Sequence, residues 1–422
     1  MVAILVAGVA ACGSPGPTPS SAPTITATAS PSGTPTVAPN PSIVAVPTSQ
    51  LVAPGAAAAH LDAATATALQ KALDGIRSGG LYPGTSAAVV FPDGSVWAGV
   101  SGSAVLSPQT PVTTDTLFSI GSISKTFVAA LIGRLAQAGT VGLDDPLAKY
   151  VADFPNAANI TLRELLNHTS GIQDLFAAAG VSDAILAHPS ATWTSAQVLA
   201  RIGKPYFAPG AGYHYSNTNF VLLGLVAEKA TGQTVAALVR SMFLGPLGLT
   251  HTYLQTEETA QGPQAHGYMA PASRPRDNSA GTMLPFTAEA TAVGFAGAYV
   301  STAGDLAAWA DALYRGNVLD EATLASMADV SSTVPYKPHL LYGYGLGLEE
   351  STVGGQTAWG HKGWLDGFWS AMEYIPAYHV TVVVLTNANW ADPIAACSTL
   401  SKTALGPAAS PSTSASASAS HK

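Results

Sequence analysis

Charge is scarce in this chain. Asp, Glu, Lys and Arg make up 10% of its 422 residues, against roughly a quarter in an average globular protein. With a net charge of −8 it presents no basic field for nucleic acid, so that class of partner is excluded. Cysteine is scarcer still: Cys12 and Cys397 are the only two, too few for a disulfide framework. No histidine pair has metal-ligand spacing with a third partner, so neither a metal nor another cofactor is expected. The N-terminal apolar run, Val2 to Ala11, falls far short of the ~20 residues that span a bilayer.

Apolar residues are plentiful. A hydrophobic share of 47% over 422 residues supports a large core. The two ends stand apart from it. Val2 to Ala11 has the length of a signal-peptide core, although no Lys or Arg precedes it. It runs into Val9-Ala10-Ala11-Cys12-Gly13, which resembles a bacterial lipobox with Cys12 as the lipidated residue. Residues 13–56 are uncharged and rich in Pro, Ser, Thr and Ala, the composition of a disordered tether. At ~3 Å per residue it reaches on the order of 100 Å. Residues 406–422, with their Ser-Ala pairs, read as a disordered tail. The expectation is an extracytoplasmic protein, a cell-envelope lipoprotein or a secreted one, touching membrane only through lipid on Cys12. The folded domain is 57–405.

Within it, helical spacing covers Leu61 to Arg77. Ser86–Phe91 and Ser95–Val100 flank a Pro92-Asp93-Gly94 turn and predict a hairpin. Further strands are expected at Tyr344–Glu349, Phe368–Ile375 and Val380–Thr386, then a helix at Pro393–Ala404 that buries an inert Cys397. Strands at both ends with helices between predict an α/β (α+β) fold, one antiparallel sheet flanked by helices. The sheet part is 57–120 and 290–405, and a mostly helical part, 121–289, is inserted. The active site should lie in the cleft between them.

Ser122-Ile123-Ser124-Lys125 opens the most apolar helix, in which Phe127, Leu131 and Leu135 recur every four residues. A lysine in that first turn is opposed by the helix dipole and by burial. Three residues apart, Ser122 and Lys125 share a helical face. A desolvated lysine loses proton affinity and can deprotonate a hydroxyl. Ser122 is therefore the expected nucleophile and Lys125 its base; Ser124 faces elsewhere, toward local backbone.

Two more motifs follow, Tyr215-Ser216-Asn217 in a loop and His361-Lys362-Gly363 at the end of a short segment beginning near Ala358. In this order, with the flanks Leu165–Ile172, Phe207–Gly210 and Val300–Leu306, they resemble the penicillin-recognising serine hydrolases: class C β-lactamases, D-alanyl-D-alanine carboxypeptidases and esterases of the same fold. The resemblance runs from about residue 60 to about 400 and implies a β-lactamase/transpeptidase-like architecture. It makes Tyr215 a second candidate base that returns the proton to the leaving group, on the reasoning that a nearby cation lowers a phenol's proton affinity. Asn217 would bond Lys125 or the substrate amide. His361, Lys362 and Gly363 would bind substrate, Gly363 by letting its backbone pass close. The backbone N–H groups of Ser122 and Trp364 would form the oxyanion hole.

The function expected is acyl-enzyme hydrolysis of a small-molecule or peptide substrate. A D-alanyl-D-alanine carboxypeptidase-like activity is favoured; a β-lactamase, a broad esterase or a catalytically silent penicillin-sensing lipoprotein are the alternatives. Lys362 decides among the enzymes. Facing the cleft it could hold a substrate carboxylate; facing solvent it would leave neutral esters as better substrates.

Overall fold

Valine-rich segments from opposite ends of the domain pair with one another. The computed structural model describes residues 61–330 and 343–406; Val2–Ala11, Cys12, the tether to residue 56, Lys337 and the tail beyond Gly406 lie outside the described residues. Eight strands among the described residues form one antiparallel sheet: β1 (Gly84–Val90), β2 (Val96–Leu106), β3 (Gln109–Pro111), β4 (Gly343–Tyr344), β5 (Glu349–Val353), β6 (Gln356–Leu365), β7 (Phe368–Ile375) and β8 (Val380–Thr386). Their order is β3-β2-β1-β8-β7-β6-β5-β4, and Ala87 faces Val384 where the two ends of the chain meet.

Five helices pack into the cores on the sheet's two faces: α1 (Ala63–Gly80), α2 (Ser124–Gln137), α3 (Asn217–Thr231), α4 (Ala303–Tyr314) and α5 (Pro393–Leu405). Side chains alternate across a strand, so β1 and β8 serve two cores. Ala87, Val89, Val382 and Val384 pack with Leu69 and Leu73 of α1 and with Cys397 and Leu400 of α5. Ala88, Val90, Val383 and Leu385 join the larger core that contains α2, α3 and α4. Burial on both faces explains why these strands read as continuous apolar runs. Each fully buried Val or Leu contributes about 1.5–3 kcal/mol. Burial also pushes the Cys397 thiol up, which leaves it unreactive.

α2 is buried all round: Lys125, Phe127, Val128, Leu131, Ile132 and Leu135 are each at most 1% exposed. Phe127 stacks on Trp309 of α4, with ring centroids 4.3 Å apart. This rigid rod holds the residues at its N-terminus in place. Short strands also lie outside the large sheet. Tyr253–Leu254 and Phe118–Ser119 pair with Tyr299–Ser301, and Tyr268–Met269 pairs with Arg276–Asp277.

Three local expectations need correction. Tyr344–Glu349 is not one strand: Gly347, at φ +72°, turns the chain between β4 and β5, a conformation other residues resist. The His-x-Gly motif lies inside β6 rather than at the end of a segment. Asn217 is no loop residue but the first residue of α3.

Candidate active site

Ser122 occupies a single 3₁₀ turn, Gly121–Ile123, immediately before α2. Lys125 Nζ lies 2.8 Å from Ser122 Oγ, 2.8 Å from Asn217 Oδ1 and 2.8 Å from the carbonyl oxygen of Ala296. The last two groups only accept, so they take two amine protons, and the third position faces the serine hydroxyl. Burial pulls the lysine down to about 7, against the opposing pull of Asp174 and Glu349. In its neutral form Lys125 thus aims its lone pair at Ser122. Ser124 bonds back to the Gly121 carbonyl at 2.6 Å and stays out of the chemistry.

Asp174 belongs to none of the three sequence motifs. Its Oδ2 accepts from the Asn217 amide N–H at 2.6 Å and from Asn217 Nδ2 at 2.8 Å. This pins the Asn217 side chain with Oδ1 toward Lys125. The only signal in the sequence is its place just after the Leu165–Ile172 flank, where it N-caps the turn at Leu175–Ala177. His168, fully buried in that flank, supports the same loop: its Nδ1 accepts from Ser216 N–H at 3.2 Å and from Asn219 Nδ2 at 3.2 Å. Its ring packs against Tyr215 at 4.3 Å between centroids.

Lys125 Nζ sits 4.9 Å from the Tyr215 ring centroid, and the neighbouring Ser122 side chain favours the ionised phenol. Enclosure outweighs these contacts and pushes the phenol well above its ordinary value. The expectation of a cation-activated phenolate is therefore reversed. Tyr215 stays protonated, suited to donate to a leaving group, and Lys125 alone has the proton affinity of a base near neutral pH.

The third motif divides its labour differently from what the sequence predicts. Gly363 is shaped by the protein's own backbone, not the substrate's: a Cβ there would lie 1.8 Å from the Ile120 carbonyl oxygen. Gly121, at φ +49°, would likewise carry a Cβ 2.7 Å from Trp364 N. The two glycines let β6 press against the turn that carries Ser122. β5 pairs with β6 only through Gly360, so beyond it that edge is unpaired by β5. Leu365 and Phe368 close the hairpin to β7, and closing pairs are hydrogen-bonded. Trp364, one residue earlier, then turns its N–H to the open edge beside Ser122. One oxyanion donor is typically worth about 10²–10³ in rate.

His361 is buried at 1% exposure and is not in the cleft wall, so direct substrate contact is not its role. Burial holds it down to about 4, hence neutral. Nδ1 lies 2.6 Å from the Lys362 carbonyl and must donate, which leaves Nε2 to accept from the Tyr344 hydroxyl at 3.0 Å. Lys362 does line the cleft, but its Nζ lies 2.9 Å from Glu349 Oε2. Burial works against its charge, yet the Lys362 ammonium holds Glu349 below the usual carboxylate range.

Ser122, Tyr215, Tyr344, Glu349, Lys362 and Trp364 all face one cleft of about 690 Å³, a volume that suits a small ligand. Among the described residues no group of three His, Cys, Asp or Glu is placed to hold a metal. The constellation can activate a hydroxyl and protonate a leaving group with its side chains, and stabilise an oxyanion with backbone N–H groups.

A family model described as Beta-lactamase matches residues 55–395. The chain is 27% identical over 346 residues to a beta-lactamase of Escherichia coli (strain K12), covering 74% of this chain and 85% of that protein. It is 30% identical over 350 residues to a D-aminopeptidase of Cereibacter sphaeroides, covering 80% of this chain but only 63% of that protein's length. Among solved structures, a D-amino acid amidase from Ochrobactrum anthropi SV3 aligns with a TM-score of 0.71 at 27% identity, over 81% of this chain and 98% of that one. The matched span of the family model takes in the serine–lysine helix, the Tyr-x-Asn loop and the edge of β6. The chain belongs to the Beta-lactamase family of serine hydrolases.

Proposed function

We propose that the protein hydrolyses small amino-acid amides through an acyl-enzyme and does not require a free carboxylate on the substrate. The observation that carries this reading is the 2.9 Å pair between Lys362 and Glu349. A cation already matched by a carboxylate has little left for a second one. No arginine lines the cleft among the described residues. Relatives named D-aminopeptidase and D-amino acid amidase favour amides of D-amino acids as the first substrates to try.

Ser122 Oγ attacks the carbonyl carbon as its proton passes to Lys125, and the N–H groups of Ser122 and Trp364 receive the oxyanion. The C–N bond breaks, and the departing amine takes a proton from Tyr215, which Lys125 restores. Water, deprotonated by the same lysine, then releases the acid and regenerates Ser122. A carboxypeptidase is the second reading, because Lys362 does face the cleft.

The test compares D-phenylalanine amide, a peptide ending in D-Ala-D-Ala, benzylpenicillin and p-nitrophenyl acetate. The amide should have the highest kcat/KM among the amide-bond substrates. Glu349→Gln, which removes the carboxylate that matches Lys362, should lower KM for the D-Ala-D-Ala peptide about tenfold relative to the amide, a shift of about 1.4 kcal/mol. A parent enzyme that already prefers the peptide would overturn the amidase reading in favour of a carboxypeptidase.

Placement in the cell envelope belongs to the same proposal and rests on Val9–Cys12. The full chain expressed in a bacterial host should partition into detergent, and Cys12→Ser should shift it to the aqueous phase. Equal partitioning of both would remove the anchor and leave the enzyme reading intact.

A further inference from the structure

Beside the catalytic cleft, and sharing Phe176 and Trp364 with it, lies a second cavity of about 240 Å³. That is below the ~300–1,000 Å³ that encloses a whole drug-sized ligand, so it fits one substituent. Its walls are mostly apolar, Phe176, Ile185, Leu186 and Trp364, with Ser182, whose hydroxyl donates to the Phe176 carbonyl at 2.9 Å. Leu186 and Trp364 are left 60% and 47% exposed, although large apolar side chains at a cleft margin usually find cover. Two carboxyl groups, Glu289 and Asp366, form its polar end.

Glu289 is the unusual member. It is 4% exposed, yet no lysine or arginine pairs with it among the described residues. A single backbone N–H, that of Asp366, reaches its two oxygens at 3.3 and 3.5 Å, long for a hydrogen bond. A buried carboxyl with most of its acceptor capacity unused costs free energy unless something arrives to fill it. Asp366 follows Trp364 by two residues and opens the turn between Leu365 and Phe368. The two cavities adjoin at Phe176 and Trp364, so a substrate whose carbonyl is seated at the Trp364 N–H can extend its side chain into the second one.

We propose that this cavity is a second substrate subsite for a primary ammonium on an aliphatic stem, the side chain of a lysine- or ornithine-like residue. The stem lies along Phe176, Ile185 and Trp364, and the ammonium is held between Glu289 and Asp366 by charge-assisted hydrogen bonds. The subsite rests on the amide-hydrolase reading of the adjoining cleft. Burial, reinforced by Asp366, pushes Glu289 well above the usual carboxylate range, so the empty site is neutral at low pH. It gains its counter-charge as pH rises, and preference for the ammonium should strengthen in the same direction.

D-Lysine amide and D-norleucine amide differ only by the terminal amine and give the test. The parent enzyme should favour the lysine amide at least tenfold in kcat/KM at pH 8, and the ratio should shrink as pH is lowered. Glu289→Gln should bring the ratio to within about twofold, and Asp366→Asn, a second route if the first variant folds poorly, should reduce it. The ratio is read, so a general loss of rate in a variant does not enter. If neither amide is turned over, the amide-hydrolase reading fails by itself; the two amides then compete against p-nitrophenyl acetate, and their inhibition constants give the ratio. Equal values for the two in the parent, or a preference that survives both substitutions, would overturn the subsite.

Discussion

Ser122→Ala should lower turnover of every substrate by on the order of 10³-fold or more and abolish labelling by a fluorophosphonate probe. Lys125→Met should be nearly as damaging, and the double variant no worse than either single one, because nucleophile and base act as a unit. The lysine also carries a stability signature. Buried at 0% exposure and pulled down to about 7 from an ordinary 10.5, it opposes folding. The sign follows from linkage: a depressed lysine destabilises fully below about 7, and the penalty fades as pH rises toward the unfolded value. Lys125→Met should therefore raise Tm while removing activity, with a larger gain at pH 6 than at pH 9. Thermal scans at the two pH values check this. A fall in Tm at pH 6 would mean that the lysine is a structural tie rather than a strained base.

The pH–rate profile separates the two candidate bases. With Lys125 as base, log kcat/KM should climb with unit slope up to about pH 7 and then level. Were the Tyr215 phenolate the base, the climb would continue beyond pH 10, since enclosure holds that phenol well above its ordinary value. Glu349 is one of the charges that raise Lys125, so Glu349→Gln should move the acid limb to lower pH. A limb that stays in place, or moves upward, would remove Lys125 from the base role.

The parts legible in the sequence are those whose cause is local. β7 and β8 stand where the strand-like stretches Phe368–Ile375 and Val380–Thr386 put them; burial on both faces makes them mostly apolar, with Ser370 and Glu373 as buried polar exceptions in β7. Ser122 and Lys125 are three residues apart on one turn, so their contact follows from helical spacing. What the sequence hides depends on distant approach. Asp174 meets Asn217 across 43 residues of chain, and nothing in its neighbourhood announces that partner. For Lys362 the sequence poses cleft against solvent, yet the deciding neighbour is Glu349, brought alongside by the Glu349–Gly360 register of β5 and β6. For Tyr215 the sequence shows only the nearby cation, and enclosure, a property of the folded core, reverses the sign. Gly363 suggests room for substrate, and its close neighbour is the Ile120 carbonyl.

The central claim is a covalent acyl group on Ser122, formed with Lys125 as base. Its most direct test is rapid-quench mass spectrometry of the full chain during turnover of D-phenylalanine p-nitrophenyl ester, followed by peptide mapping. The account predicts a mass increase of one phenylalanyl group, confined to the peptide bearing Ser122, appearing within the burst of p-nitrophenol and absent from Lys125→Met on that timescale. Turnover with the burst on another residue, or with the acyl group found on Ser124 or Ser216, would contradict it.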